Sequence, residues 1–303
     1  MCCAYAAATA GFIASGRSGA GSSSCGLSAV QATSVRSLTG FSSQSRARNP
    51  VGIIRPRVGL QQIDHIRRIA CWVLIMTMTN AELTHLYQVA VDLVLREEMG
   101  GAEAVCLEVL NREPDHGGTL VLLGVIESRT GRTQQATFSF RRAIAIDPAQ
   151  AIAHALLGDA LIELGLPNEA LASYELALLR DARLAPALFG RGNALLDLQR
   201  PVEALVSYDT LLAQDPANDE VLFNRGNALV ALDRLAEAVA AYEEAIRVNP
   251  RYARAHCNLA GALLGLGRAR EALEAVDRAL QIDPANAAAQ RARGQMLLAV
   301  GMR

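Results

Sequence analysis

DEVLFNRGNALVALDRLAEAVAAYEEAIRVNPRY, residues 219–252, carries two helical apolar patterns in tandem. Leu222, Arg225, Gly226 and Leu229 follow i, i+3, i+4, i+7 spacing, so they share one face of a first helix. Gly226 reads as a point where the second helix crosses closely, with Ala238 as its partner. A larger side chain there would force the axes beyond the usual spacing of roughly 8 to 10 Å. Ala238, Tyr242 and Ala245 line the second helix. Pro250 ends it, because proline neither donates a backbone hydrogen bond nor continues a helix.

Outward from this stretch the same marks recur every 34 residues. Pro114, Pro148, Pro216, Pro250 and Pro284 fall on one grid, with Ala182 at its missing point. Gly124, Gly158, Gly192, Gly226 and Gly294 form a second grid, whose other points are Ala90 and Ala260. A third grid is all alanine: Ala102, Ala136, Ala170, Ala204, Ala238 and Ala272. Three grids sharing one period do not arise by chance. One helix pair cannot bury its own apolar face, so each unit must pack on the next in a solenoid.

These grids resemble the tetratricopeptide repeat family, whose unit is a pair of antiparallel helices. The resemblance covers 83–303 and divides it into 83–116, 117–150, 151–184, 185–218, 219–252 and 253–286, with 287–303 as a capping helix. It implies an all-α, right-handed superhelical solenoid occupying 79–303, preceded by a disordered extension over 1–78. Gln290, Arg291, Arg293 and Gln295 give the last helix a wet outer side, while its tail, MLLAVGMR, stays apolar. That tail leaves two readings open: self-association through this helix, or a chain shorter than its functional relatives.

In such solenoids the first helix of each unit lines the inner surface, and unit positions 2, 5, 6, 9, 12 and 13 are free of core duty. The last three full units present there Phe189, Asn193, Leu196 and Asp197, then Glu220, Phe223, Asn224 and Asn227, then Arg254, Cys257 and Asn258. Asn193, Asn224, Asn227 and Asn258 are the principal candidates, because an asparagine amide offers a donor and an acceptor and pairs with both backbone groups of an extended peptide. Solvated polar residues are the other reading of the same four. Phe189 and Phe223 stand one turn before Asn193 and Asn227, either to hold a ligand's apolar groups or to pack between units. The asparagine row resembles the peptide-holding ladder of O-linked N-acetylglucosamine transferase, but Gln88, Leu122, Leu156 and Gly190 hold the equivalent place in earlier units. Asn193, Asn224 and Arg254 also match three of five positions of a co-chaperone carboxylate clamp, where Phe189 and Asn258 stand in place of basic groups. On this reading the chain is a non-catalytic scaffold that binds an extended peptide or partner segment in its groove. The alternative is an acceptor-recruiting repeat region acting with a separate glycosyltransferase chain.

Composition narrows the remaining classes. The 303 residues carry 29 basic and 30 acidic side chains, a formal charge of −1, so no electrostatic case exists for nucleic acid or an anionic membrane. Every basic residue is arginine, which removes phosphate-loop, Schiff-base and general-base lysines; the bias fits a GC-rich genome. Six cysteines lack C-x-x-C spacing and read as reduced and structural. His65, His85, His116, His154 and His256 never reach metal-ligand spacing, and His154 and His256 share unit position 4, a core site. Gly190-Arg-Gly192 matches the start of a dinucleotide fingerprint, yet Leu195 replaces its last glycine and no strand precedes it. No G-x-S-x-G elbow is present, and Cys106 sits at a packing position. Arg191, Arg225 and Arg293 lie core-ward, their stems packed and their guanidinium groups reaching edge carboxylates or water. Tyr174, Tyr208 and Tyr242 are packing residues. No cofactor and no metal site is expected.

The first acidic residue is Asp64, so residues 1–63 hold six arginines and no negative charge, against 23 arginines and 30 acids in the rest. This Ser-, Gly- and Ala-rich part lacks apolar periodicity. A transit peptide, a flexible tail and translation from a misplaced start all fit it. Met76 and Met78 favour the last, since Thr79-Asn-Ala-Glu82 just after them has capping-box spacing. IACWVLIM, residues 69–76, is far short of the roughly 20 residues that span a bilayer. The expected address is cytoplasmic, or exported or organellar if the extension is a real targeting segment.

Overall fold

A computed structural model describes residues 80–301. The arginine-rich extension, the 69–76 stretch and Thr79 lie outside the described residues. From Asn80 to Val300 the chain is all helix and turn, with no strand among the described residues. The first helices are α1 (Asn80–Leu95), α3 (Gly117–Arg129), α5 (Ala151–Glu163), α7 (Ala185–Asp197), α9 (Asp219–Ala231), α11 (Ala253–Gly265) and α13 (Ala287–Val300). The second helices are α2 (Met99–Arg112), α4 (Thr133–Ile146), α6 (Pro167–Arg180), α8 (Pro201–Leu212), α10 (Leu235–Val248) and α12 (Ala269–Ile282).

Two turns repeat with the period. Within each unit the residue at position 15 adopts a left-handed backbone: Glu97, Gly131, Gly165, Gln199, Asp233 and Gly267, with φ between 57° and 76°. Between units, a side-chain carboxylate or amide closes an Asx turn. Asp147, Asp181, Asp215, Asn249 and Asp283 each accept the backbone N–H two residues on, at 3.0 to 3.3 Å. The residue before proline is driven out of the helical region, which stops the second helix. Asp181 holds the same extended backbone (ψ 96°) although Ala182 replaces the proline, so the Asx turn suffices there.

The alanine grid is the tightest part of the core: Ala102, Ala136, Ala170, Ala204, Ala238 and Ala272 are all fully buried. The glycine grid has a different partner from the one the sequence suggested. A Cβ on Gly226 would lie 2.4 Å from the Tyr242 ring, and no atom of Ala238 is among its nearest neighbours. Gly124 meets Phe140, Gly158 meets Tyr174 and Gly192 meets Tyr208 in the same way. Where the grid holds alanine, the opposing side chain is small: Cys106 faces the Ala90 unit and Val276 the Ala260 unit. Volume is therefore conserved within each unit, as close packing requires.

Core-ward arginines tie units together. Arg225 donates to Asp209 at 2.7 Å and Arg293 to Asp277 at 2.6 Å, each reaching the second helix of the preceding unit; Arg191 sits 4.0 Å from Glu175 and donates to Ser207 Oγ. Each exposed pair contributes about 1 kcal/mol or less. His154 and His256 are buried, and their Nε2 atoms lie 3.3 and 3.1 Å from the carbonyls of Pro148 and Pro250, so they staple the turn behind them. Gln290, Arg291, Arg293 and Gln295 are exposed on α13, where Met296 is buried and Leu298 is open.

Candidate peptide-binding face

From α3 onward consecutive first helices touch one another, whereas the second helices from α4 onward make their main contacts with the first helices that flank them. The first helices therefore hold the inner side. Their exposed wall changes character along the chain. In α3 it is apolar, with Val121 and Val125 half-buried, and in α5 half-buried Ile152 and Ile162 stand on either side of Asp159. From α7 to α11 it carries the asparagines.

Those asparagines do more than meet solvent. Tyr208 Oη donates to Asn193 Oδ1 at 2.7 Å, and Tyr242 Oη donates to Asn227 Oδ1 at 2.8 Å. Each tyrosine stands on the second helix, passes over the grid glycine of its own unit, and delivers its hydroxyl to the inner wall. Tyr174 does the same to Asp159 at 2.7 Å. The rings are about 1 % exposed or less, so an unpaired hydroxyl at this place would cost roughly 1 to 3 kcal/mol. Burial pushes the Tyr242 phenol up to about 12, the neighbouring Asn258 amide working partly against it, and burial also raises Tyr208, with a further push from the Asp197 carboxylate. Sequence reasoning identified the tyrosines as packing residues but missed their polar end and missed Asp159. The signal was available: tyrosine at unit position 24 coincides with Asp or Asn at position 9, fifteen residues earlier. Phe140 instead goes with Val125 and Val276 with Gly261.

Asn227 is the hub of a relay. Besides the Tyr242 hydroxyl, its Oδ1 accepts Asn258 Nδ2 at 2.7 Å, and its own Nδ2 donates to Asn224 Oδ1 at 3.3 Å. Three of the four candidate asparagines are thus brought together across α9 and α11; Asn193 stands apart on α7 with its own tyrosine. Asn224 Nδ2 and Asn258 Oδ1 are left as a donor and an acceptor without a partner among the described residues.

The aromatic candidates divide. Phe189 is half-buried, 6.4 Å from Tyr208 between ring centroids. Phe223 is 2 % exposed, 5.8 Å from Tyr242 and 5.1 Å from Tyr252. The Arg254 guanidinium covers it at 5.0 Å from the centroid, a cation–π contact. Of the two placements the sequence left open for Phe223, the structure has the second: it is packed between units, because Tyr252 and Arg254 close over it. Arg254 itself is exposed above this cluster.

Among the described residues no three His, Cys, Asp or Glu side chains converge as metal ligands, and no helix is long and apolar enough to cross a membrane. Cys106 is buried, which raises its thiol to about 12.

No curated protein matches this sequence. Solved structures share its fold at low identity. A tetratricopeptide repeat protein from Parabacteroides merdae ATCC 43184 superposes with a TM-score of 0.60 at 20 % identity, over 73 % of this chain and 88 % of that one. PilF of Pseudomonas aeruginosa gives 0.63 at 16 % identity, over 70 % and 97 %. YrrB, described as a repeat protein with an unusual peptide-binding site, gives 0.55 at 20 % identity, over 62 % and 97 %. The tetratricopeptide repeat family model matches at 121–187, 155–219, 189–256, 223–287 and 257–300. With the period, the paired helices and these matches in agreement, the chain belongs to the tetratricopeptide repeat family, whose repeats mark a protein–protein interaction scaffold.

Proposed function

We propose that this scaffold is non-catalytic and binds an extended peptide segment of a partner protein along its inner wall, centred on α9 and α11. The observation that supports this reading is the Asn224–Asn227–Asn258 relay. It holds two amides in fixed orientation while leaving Asn224 Nδ2 and Asn258 Oδ1 unspent. A donor and an acceptor so placed suit the C=O and N–H of one extended backbone, giving affinity with little sequence selection. Asn193, Phe189 and Arg254 extend the wall on either side, and Arg254 adds the positive charge. Phe223 supports the wall from beneath.

Asn227 is a poor choice for testing this, since removing it orphans the Tyr242 hydroxyl and lowers stability whatever its role in binding. Asn224→Ala is the cleaner variant. Peptides selected from a displayed random library on the full chain should lose about tenfold in affinity to Asn224→Ala, roughly 1.4 kcal/mol, with the thermal midpoint unchanged. Methylating single backbone nitrogens of those peptides should abolish binding at one or two positions. Selected peptides that tolerate both changes would refute the backbone reading.

A further inference from the structure

Asparagines that pair with an extended backbone select neither a partner nor a direction, because every peptide carries the same N–H and C=O groups in either orientation. The charges at the two ends of the asparagine wall do select. Asp197 is the last residue of α7, one turn beyond Asn193; Arg254 lies in the first turn of α11, one turn before Asn258. Both are exposed, and neither makes an ion pair among the described residues. Arg254 lies over the Phe223 ring; Asp219 and Glu220, the acids of the first turn of α9, do not pair with it, and Asp219 instead accepts Asn249 Nδ2 at 2.7 Å. Around Asp197 the arginines are occupied: Arg200 by Glu203, Arg234 by Glu237 and Arg191 by Ser207. Asp197 faces the wall, since its charge acts on the Tyr208 phenol whose hydroxyl is held by Asn193.

The fold requires neither charge. At the place of Asp197 the other full units hold Leu95, Arg129, Glu163, Ala231 and Gly265, and at the place of Arg254 they hold Thr84, Gly118, Ile152, Pro186 and Glu220. Arg129 is held by Glu97. Glu163, like Asp197, is the last residue of its helix, and it has only the Thr133 hydroxyl at 3.0 Å. A carboxylate at a helix C-terminus opposes the macrodipole. Neither α5 nor α7 has a basic residue in its last turn to offset it. Two neighbouring first helices thus end in acids where acids destabilise and where no cation of the chain meets them.

The wall runs across the helices. Phe223 to Arg254 and Asn227 to Asn258 are both contacts between neighbouring first helices at a step of 31 residues. The same step leads from Asn193 to Asn224. An extended chain laid on this row crosses α7, α9 and α11 in turn. With neighbouring axes about 10 Å apart, Asp197 and Arg254 are separated by roughly 20 Å. At about 3.3 Å per residue, an extended segment covers that span in about six residues.

Resting on the inner-wall reading, we infer that the bound segment is charge-polar: it carries a basic side chain that meets Asp197, with Glu163 behind it, and about six residues away an acidic side chain that meets Arg254. The asparagines hold the backbone; the two charges set its register and direction.

Peptides selected from a displayed random library on the full chain at low salt, where exposed charges are least screened, test this. They should share a base and an acid about six residues apart, in one order. Exchanging that base for glutamine in a selected peptide, or Asp197→Asn in the chain, should each weaken binding about three- to fivefold, and the two changes together should cost no more than either. Arg254→Gln and neutralisation of the peptide's acid should behave in the same way. Asp197→Asn should leave the thermal midpoint unchanged or raise it, because α7 loses a charge opposed to its dipole. A fall in the midpoint would assign the carboxylate to stability and overturn the inference. The charge-swapped chain, Asp197→Arg with Arg254→Glu, should select peptides with the opposite order of charges. Peptides that lose affinity to Asn224→Ala yet carry no such pair, or ignore Asp197→Asn, overturn the charge inference and leave the backbone reading standing. A wild type that selects no peptide overturns both.

Discussion

Units 117–150 and 219–252 solve the same packing problem with one atom's difference. In both, an aromatic ring from the second helix lies on a glycine of the first: Phe140 on Gly124, Tyr242 on Gly226. Phe140 ends in carbon, and the inner-wall residue beyond it is Val125. Tyr242 ends in a hydroxyl, and the residue beyond it is Asn227, from which the relay to Asn224 and Asn258 extends. The polarity of the inner wall is thus coupled through the core to a side chain rooted on the outer helix. Where the core residue is phenylalanine the wall is apolar; where it is tyrosine the wall is Asp159, Asn193 or Asn227.

The largest effect should come from denying the ring its seat. Gly226→Ala places a Cβ 2.4 Å from the Tyr242 ring, and Gly124→Ala places one 2.5 Å from Phe140. Both should lose about 1 to 3 kcal/mol in denaturant titrations, irrespective of the hydroxyl. Gly294 lies on the same grid, but nothing stands within 4 Å of its Cβ position. Gly294→Ala should therefore gain up to about 1 kcal/mol from helix propensity alone. Equal losses at all three would mean that the ring is not what fixes the glycine.

Alkaline titration separates the two kinds of unit next. A phenol raised by burial binds its proton more tightly in the folded chain, so its contribution is full below the unfolded value near 10 and is lost as pH rises through the folded value. For Tyr242 that window runs from about pH 10 to about 12, and Tyr208 is raised in the same sense. The chain should lose stability steeply above about pH 10. Tyr208→Phe should make the loss shallower, while Phe140→Leu should leave its pH dependence untouched. Thermal midpoints measured across that range read both.

The period, helix pairing and turn prolines were legible because each is a local mark repeated at least five times. The identity of the glycine's partner was not legible. Ala238 and Tyr242 both lie on the facing stripe of α10, and spacing alone does not say which one crosses the glycine. The asparagines were legible as a row but not as a network, since a hydrogen bond from Tyr242 to Asn227 links helices fifteen residues apart and only the fold aligns them. The placement of Phe223 stayed open in the sequence for a related reason. Its covering groups, Tyr252 and Arg254, belong to the following turn and helix, and no periodicity within its own helix reveals them.

Moving the hydroxyl tests the coupling itself. Phe140→Tyr should bury a hydroxyl beside Val125 with no acceptor, at a cost of roughly 1 to 3 kcal/mol. Val125→Asn alone should place an amide on an apolar wall and lose a similar or smaller amount. Together they rebuild the pair seen in 219–252, so the double variant should recover about 1 kcal/mol or more relative to the sum. Additive losses in that double-mutant cycle would show that ring and wall residue are independent and that their co-occurrence has another origin.

The smallest effect distinguishes the tyrosines from one another. Tyr208→Phe leaves Asn193 Oδ1 without its hydrogen bond from the chain, whereas Tyr242→Phe leaves Asn227 Oδ1 still holding Asn258 Nδ2. Both amides are half-buried, so water partly replaces what is lost, and the cost should be about 1 kcal/mol for Tyr208→Phe and less for Tyr242→Phe. Peptide affinity should be nearly unchanged in Tyr242→Phe, because Asn258 continues to orient Asn227 and through it Asn224. An ordering in which Tyr242→Phe is the more damaging, in stability or in binding, would mean that the hydroxyl and not the Asn227–Asn258 amide bond sets the geometry of the wall.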